Sequence, residues 1–181
     1  MTSTPTQTPA VATTRPWSKP AYRLLREAGY TQFAYVPDAG HRDLIELAHA
    51  DPGAVAVPLT TEEEGVALCA GADLGLTKGV LLMQSSGVGN TINMLSLIAH
   101  CQFPFLTLVT LRGDFGEQNP WQYAMGRASQ PVLEEMGLIC LRAEREEDVV
   151  PTVEASLGMV EPGGRAVAVL LTQRLLGAKK F

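Results

Sequence analysis

Short runs of consecutive apolar residues recur along the chain. Longer stretches separate them, in which apolar residues return every three or four positions. The runs fall at residues 33–36, 55–59, 80–84, 105–111, 138–141 and 166–171. Each has the length of a strand and almost no polar alternation, as expected of strands buried on both faces of a parallel sheet. The intervening stretches carry helical spacing. Ala21, Leu24, Leu25 and Ala28 precede the first run, with Ser18 as N-cap, Pro20 in the first turn and Gly29 as the stop. Leu44, Ile45, Leu47 and Ala48 follow it, stopped by Asp51-Pro52-Gly53.

After the second run, Thr60 or Thr61 can cap a helix whose first turn holds Glu62, Glu63 and Glu64, where the helix dipole favours negative charge. That helix continues in small residues to Leu74, which suits close approach by another backbone. Further helical spacing predicts helices over 91–100, around 132–136 and over 144–159. Strand and helix alternate six times. The pattern predicts an α/β fold, a single doubly wound domain with a six-stranded parallel sheet flanked by helices. The Thr- and Pro-rich residues 1–17 have little apolar surface to bury and predict a disordered arm, with the domain at 18–181.

Composition narrows the functional classes. The chain is 46% hydrophobic and 18% charged, with a net charge of -5 and no basic stripe to meet nucleic-acid phosphates. Cys69, Cys101 and Cys140 are odd in number and widely spaced, which predicts reduced thiols in a cytoplasmic protein. No apolar stretch reaches the length of a membrane span, and no signal-peptide core stands at the start. His49 and His100 have no clustered partners, so a histidine-built metal site is not expected.

Open α/β sheets place ligands at the carboxyl ends of their strands, so the segments that follow the runs carry the candidate chemistry. Asp38-Ala39-Gly40-His41 follows the first. His41 is either a group that titrates near neutral pH or an exposed histidine at a helix start. Gln84-Ser85-Ser86-Gly87-Val88-Gly89-Asn90 follows the third run. It reads either as a tight turn with positive-φ glycines and Asn90 as a helix cap, or as backbone brought close to a ligand. Ile92 stands where a dinucleotide fingerprint needs its third glycine, and no P-loop pattern occurs. The polar stretch 112–126 follows the fourth run and is long enough to predict function. Arg112 and Arg127 bracket it with groups suited to sulfonate, phosphonate or carboxylate. Trp121 within it is expected to pack against something, a partner chain included.

Three segments together resemble one known module: the run from Glu62 to Ala72, Gln84 to Asn90, and Phe103-Pro104-Phe105 through Arg112-Gly113. The module is the pyrimidine-binding domain of thiamine-diphosphate-dependent 2-oxoacid decarboxylases, in the sulfopyruvate and phosphonopyruvate decarboxylase branch. The resemblance implies that Glu62 bonds the cofactor's pyrimidine ring and promotes its imino form, with Glu63 the one-residue slip. It places Gln84, Ser85, Ser86, Gly87, Gly89 and Asn90 beside the cofactor and the loop of Asp38 and His41 toward the substrate, although the sequence departs from the family pattern after Asp38. His41 is the catalytic candidate there on its titration range, and Arg112 the substrate-binding candidate on its guanidinium chemistry.

The family's other half grips the diphosphate and Mg²⁺ through Gly-Asp-Gly and a downstream asparagine pair. Neither occurs here, since Arg112-Gly113-Asp114-Phe115-Gly116 matches only superficially. The resemblance therefore implies a β subunit that holds the diphosphate and Mg²⁺, in a heterotetramer or larger heteromer. The helix from Glu62 would form part of the contact. The implied activity is decarboxylation of a small anionic 2-oxoacid to an aldehyde. A carboligase subunit and a non-catalytic scaffold or regulatory subunit stand as alternatives.

Overall fold

The computed structural model describes residues 14–161 and 164–178. In chain order the elements are α1 (Ser18–Glu27), β1 (Tyr30–Tyr35), α2 (Arg42–Ala50), β2 (Val55–Pro58), α3 (Glu62–Leu74), β3 (Lys78–Gln84) and α4 (Ser85–Thr91). They continue with α5 (Ser96–Cys101), β4 (Phe105–Thr110), a 3-10 turn (Pro120–Gln122), α6 (Tyr123–Glu135), β5 (Ile139–Ala143), α7 (Glu146–Val160), β6 (Ala166–Leu171) and α8 (Gln173–Leu176). The six strands form one sheet in the order β2-β1-β3-β4-β6-β5, and every pairing is parallel. The doubly wound α/β architecture expected from the apolar runs is the one observed.

Strand position in the sheet explains the strength of the apolar signal. β4 and β6 are buried along their whole length, whereas the edge strand β2 is not buried at any residue. Side chains alternate faces along each central strand. Val80, Leu82, Leu106, Leu108, Val167 and Val169 join Trp17, Leu25, Phe33, Leu44 and Val153 in one core. Leu81, Met83, Phe105, Val109, Ala168 and Leu170 join Val66, Val88, Leu95 and Leu133 in the other. Thr107 lies in the buried β4, and its hydroxyl donates to the Leu81 carbonyl oxygen (2.9 Å), which removes the cost of an unpaired polar group.

Three boundaries differ from expectation. First, α4 begins at Ser85, directly after β3, with no intervening turn. Gly87 and Gly89 are absent from the positive-φ residues and are helical, and Asn90 lies inside the helix. Second, α6 begins at Tyr123, so the polar connection is shorter than residues 112–126. Pro120 opens the 3-10 turn that leads into it, a position where proline's missing N–H costs nothing. Third, order begins before Ser18. Trp17 is 3% exposed and belongs to the first core, and Arg15 donates its peptide N–H to Asp43 Oδ2 at 2.7 Å. The remainder of the expected arm, residues 1–13, lies outside the described residues. The small residues of α3 divide by face. Gly65 lies so close to Leu81 and Leu59 that a Cβ would collide with both, while Gly71 meets nothing within 4 Å.

No helix among the described residues is long and apolar enough to cross a membrane.

Burial of Trp17 generates a test. Truncating a buried tryptophan to alanine typically costs about 3–5 kcal/mol, so Trp17→Ala is expected to lower the urea midpoint by a corresponding amount. A midpoint equal to that of the parent would show that the indole contributes nothing to the core.

Candidate functional site

The polar side chains singled out from the sequence gather at the carboxyl edge of the sheet, which a parallel arrangement provides by aligning every strand the same way. The connections after β1 and β3 leave in opposite directions, toward β2 and β4 respectively. That reversal opens a crevice at their carboxyl ends.

Glu62, Gly87 and Asn90 form the first cluster. α3 presents three glutamates in its first turn and the structure separates them. Glu62 is 7% exposed, whereas Glu63 and Glu64 face solvent. Glu64 Oε2 accepts from the Thr60 peptide N–H (2.8 Å) and so satisfies a free donor near the helix start. Successive helical residues point about 100° apart, so only one of the three can turn inward. Asn90 Nδ2 donates to Glu62 Oε2 at 2.8 Å. The other carboxylate oxygen lies over Gly87, where a Cβ would fall on the Glu62 carboxylate. No hydrogen bond from the described residues reaches that second oxygen. Starting α4 at Ser85 places Gly87 and Asn90 three residues apart on one helix face, which lets the first make room while the second bonds. Asn90 also lines an open groove of about 730 Å³ with Ser86, Gly89, Trp121 and Met125.

Asp38 and Gln84 form the second cluster. Gln84 Nε2 donates to Asp38 Oδ1 (3.0 Å), while Thr110 Oγ1 and the Gly40 N–H both donate to Oδ2 (2.8 Å each). Ser86 Oγ donates to Gln84 Oε1 at 2.9 Å and links this cluster to α4. Burial alone would raise the Asp38 pKa. The field of His41 and the hydrogen bonds from Gln84, Thr110 and Gly40 outweigh it and hold the carboxyl below its ordinary value.

His41 corrects the expectation of an exposed histidine. It is fully buried beneath this cluster, and its Nε2 lies 3.1 Å from the Met83 carbonyl oxygen. That oxygen only accepts, so Nε2 carries the proton by assignment from the network. Nδ1 then has no partner among the described residues. Burial pushes the His41 pKa below its usual value, against the pull of Asp38. His41 braces β3 from inside and reaches no solvent.

Ser85 and Arg112 are likewise held by the chain itself. Ser85 is buried. Its hydroxyl accepts from the Arg112 peptide N–H (3.0 Å) and donates to the Arg112 carbonyl oxygen (3.2 Å). The Arg112 guanidinium meets Glu117 Oε2 through Nε (2.8 Å) and Nη2 (2.7 Å). Two of its three nitrogens are thus committed, which leaves less of the guanidinium for a ligand than the sequence suggested.

Sequence reasoning missed the partners in this third cluster. Gln173 Nε2 donates to Glu117 Oε2 (2.9 Å), and the Gln118 and Asn119 N–H groups donate to Oε1 (3.0 Å each). Gln173 Oε1 accepts from the Gly113 N–H (2.9 Å). Glu117 and Gln173 are 56 residues apart, and no local pattern pairs them. Trp121, by contrast, stands 82% exposed on the rim of the groove beside Asn90. Among the described residues, no group of three or more His, Cys, Asp or Glu side chains is arranged to hold a metal ion.

Comparison with known proteins follows the same lines. No family model matches the chain. It is 36% identical over 159 residues to sulfopyruvate decarboxylase subunit alpha of Methanothermobacter thermautotrophicus, covering 85% of this chain and 94% of that protein. It is 35% identical over 108 residues to phosphonopyruvate decarboxylase of Streptomyces viridochromogenes, covering 59% of this chain but 27% of that protein. Among solved structures, 2-oxoglutarate:ferredoxin oxidoreductase from Magnetococcus marinus matches with a TM-score of 0.66 and 18% identity. That match covers 86% of this chain and 28% of the other, and it is a likeness of fold.

The Glu117 carboxylate generates a test of the third cluster. Its side chain is 1% exposed and that of Arg112 13%. Removing one partner of a buried ion pair typically costs about 3–5 kcal/mol, and Glu117→Gln is expected to lose about that near neutral pH. Burial would raise the Glu117 pKa. The Asn119 N–H, the Gln173 amide and Arg112 outweigh it and hold the pKa below its ordinary 4.5. A depressed pKa contributes stability that is present above the unfolded value and lost as pH falls through the folded one. The gap between parent and variant in urea denaturation should therefore narrow below pH 4.5. A gap independent of pH would show that the charge contributes nothing.

Proposed function

The chain belongs to the sulfopyruvate decarboxylase subunit alpha family, and from that membership we propose that it is the pyrimidine-binding half of a two-subunit thiamine-diphosphate decarboxylase acting on a short 2-oxoacid with an anionic end. The observation that carries the reading is the state of Glu62. Its carboxylate is withdrawn from bulk water, one oxygen is fixed by Asn90, and the other has no donor among the described residues.

The residues present fit the cofactor. A carboxyl with one unengaged oxygen is what a hydrogen bond to a pyrimidine ring nitrogen requires. Gly87 supplies the empty space over which that carboxyl lies. The adjoining groove offers Met125 and Trp121 as apolar walls and Asn90 and Ser86 as polar ones. Thiamine diphosphate, when bound, supplies the electron sink for loss of carbon dioxide from a 2-oxoacid. Glu62 would hold the ring nitrogen and set its protonation. Asn90 keeps the Glu62 carboxylate in one rotamer, and the Ser86–Gln84–Asp38 line keeps the start of α4 in place beneath it.

A second subunit completes the proposal. The chain lacks the Gly-Asp-Gly and asparagine motifs that hold diphosphate and Mg²⁺ in the family it resembles. It also spans nearly all of a relative named as a subunit but about a quarter of a longer relative whose name carries no subunit designation. Diphosphate and Mg²⁺ would be held by the partner.

Two outcomes test this reading. Glu62→Gln is expected to leave fold and assembly intact and to slow deuterium exchange at cofactor C2 by about a hundred- to ten-thousand-fold in the reconstituted complex. Glu63→Gln and Glu64→Gln should cost far less, because both side chains face solvent. Equal losses in all three variants would reduce the run to dipole compensation. Separately, calorimetry should find no tight Mg²⁺-dependent binding of thiamine diphosphate by the isolated chain. Tight binding would remove the need for a second subunit.

A further inference from the structure

Arg15 lies just inside the stretch whose composition predicts disorder, yet it is held at four points. Its peptide N–H donates to Asp43 Oδ2 (2.7 Å). Nη1 donates to the carbonyl oxygens of Ala39 (3.1 Å) and Gly40 (3.2 Å) in the loop after β1. Its guanidinium carbon stands 6.0 Å from the centre of the Trp17 ring. All four contacts leave its charge uncompensated. No carboxylate among the described residues lies within ion-pairing distance of Arg15. A half-buried guanidinium fixed by neutral acceptors is a cation arranged in advance.

Arg15 lines a pocket at the carboxyl edge of the sheet together with Asp38, Gly40, Thr110, Arg112 and Gly177. The pocket volume is about 110 Å³, room for a group the size of roughly three or four waters. The charges around it are accounted for. Arg112 is paired with Glu117. Asp38 is the unfavourable neighbour for an anion, but its oxygens already accept from Gln84, Thr110 and the Gly40 N–H. Among the described residues, Arg15 is the charge in this pocket without an ion-pair partner. The pocket also communicates with the Glu62 cluster, since hydrogen bonds run from Ser86 on α4 through Gln84 to Asp38 on the pocket wall.

We infer that this pocket is an anion subsite in which Arg15, backed by Arg112, receives the sulfonate or phosphonate end of the 2-oxoacid. The identity of the ligand rests on the decarboxylase reading, while the anion preference rests on Arg15 and its surroundings alone. The planar guanidinium presents paired N–H groups that match two oxygens of such a head.

The test separates the two. The full chain, labelled with ¹⁵N-arginine, is titrated with methanesulfonate and with the neutral isostere dimethyl sulfone. The Arg15 Nε–H signal is expected to shift saturably with the first and not with the second, and the response should vanish in Arg15→Gln. That variant keeps the hydrogen bond from the residue-15 peptide N–H to Asp43 and an amide donor for the loop carbonyls. In the complex with the partner subunit, Arg15→Gln should raise KM for sulfopyruvate about ten- to a hundredfold, as loss of a charged hydrogen bond does. Its effect on KM should far exceed its effect on kcat, and Arg15→Lys should recover part of the loss. No saturable shift, or an equal response to dimethyl sulfone, overturns the subsite. A saturable shift with an unchanged KM identifies an adventitious ion only and overturns its assignment to substrate. A wild-type complex that releases no carbon dioxide defeats the decarboxylase reading, and the methanesulfonate titration still decides the subsite.

Discussion

One carboxylate joins the carboxyl ends of three neighbouring strands. Asp38 leaves the end of β1 and accepts from Gln84 at the end of β3, from Thr110 at the end of β4, and from the peptide of its own loop. A parallel sheet fixes its strands to one another only as far as the ladder runs, and the last register pair between β3 and β4 is Gln84 with Thr110. Beyond that pair the backbone has no ladder partner, and side chains must set its course. Asp38 does so for both strands at once. Gln84 is oriented by Asp38, Ser86 is oriented by Gln84, and α4 starts between them. Gly87 and Asn90 owe their placement under Glu62 to that start. On the other side, Thr110 sets the departure of the connection that Arg112, Glu117 and Gln173 then hold. The Glu62 cluster and the Arg15 pocket therefore share one brace.

The brace itself rests on a fully buried histidine. His41 holds the Met83 carbonyl oxygen from below, and its second ring nitrogen has no partner among the described residues. Burying an unpaired polar atom costs free energy. That cost is offset by the apolar packing around the ring and by the hydrogen bond of Nε2 to the Met83 carbonyl oxygen. Burial disfavours the charged form of this imidazole, while Asp38 above it pulls the other way.

The strands were legible in the sequence because the central ones are buried on both faces, and a run such as 105–111 leaves no other assignment. The helix starts were harder to see. Gly87 and Gly89 suggest a turn because glycine permits positive φ, but here Gly87 serves the Glu62 carboxylate by lacking a Cβ. The absent side chain is the same, while the physical use differs. Glu62 could be singled out only through a family likeness. Burial then separates it from Glu63 and Glu64, and no property of a run of three glutamates does so. Glu117 and Gln173 were not legible, since a contact across 56 residues leaves no local period. Arg15 was hidden by its neighbours, because composition averages over a window and the docking of one guanidinium does not.

Water links the site to its proposed assembly. A carboxyl acting on a ring nitrogen gains strength as the surroundings lose dielectric screening. Glu62 is already 7% exposed, yet the groove lined by its partner Asn90 is open, and on its rim Trp121 shows 82% of its surface. An indole so placed is costly on an isolated surface and valuable at an interface, where tryptophan contributes disproportionately to binding. A subunit that closed this groove would bury the indole and exclude water from the carboxyl in the same movement. A separate subunit would have no covalent tether to raise its local concentration, and its affinity would come from surfaces like this one. In the proposed enzyme, then, the contact that would hold the subunits together would also be the contact that readies Glu62.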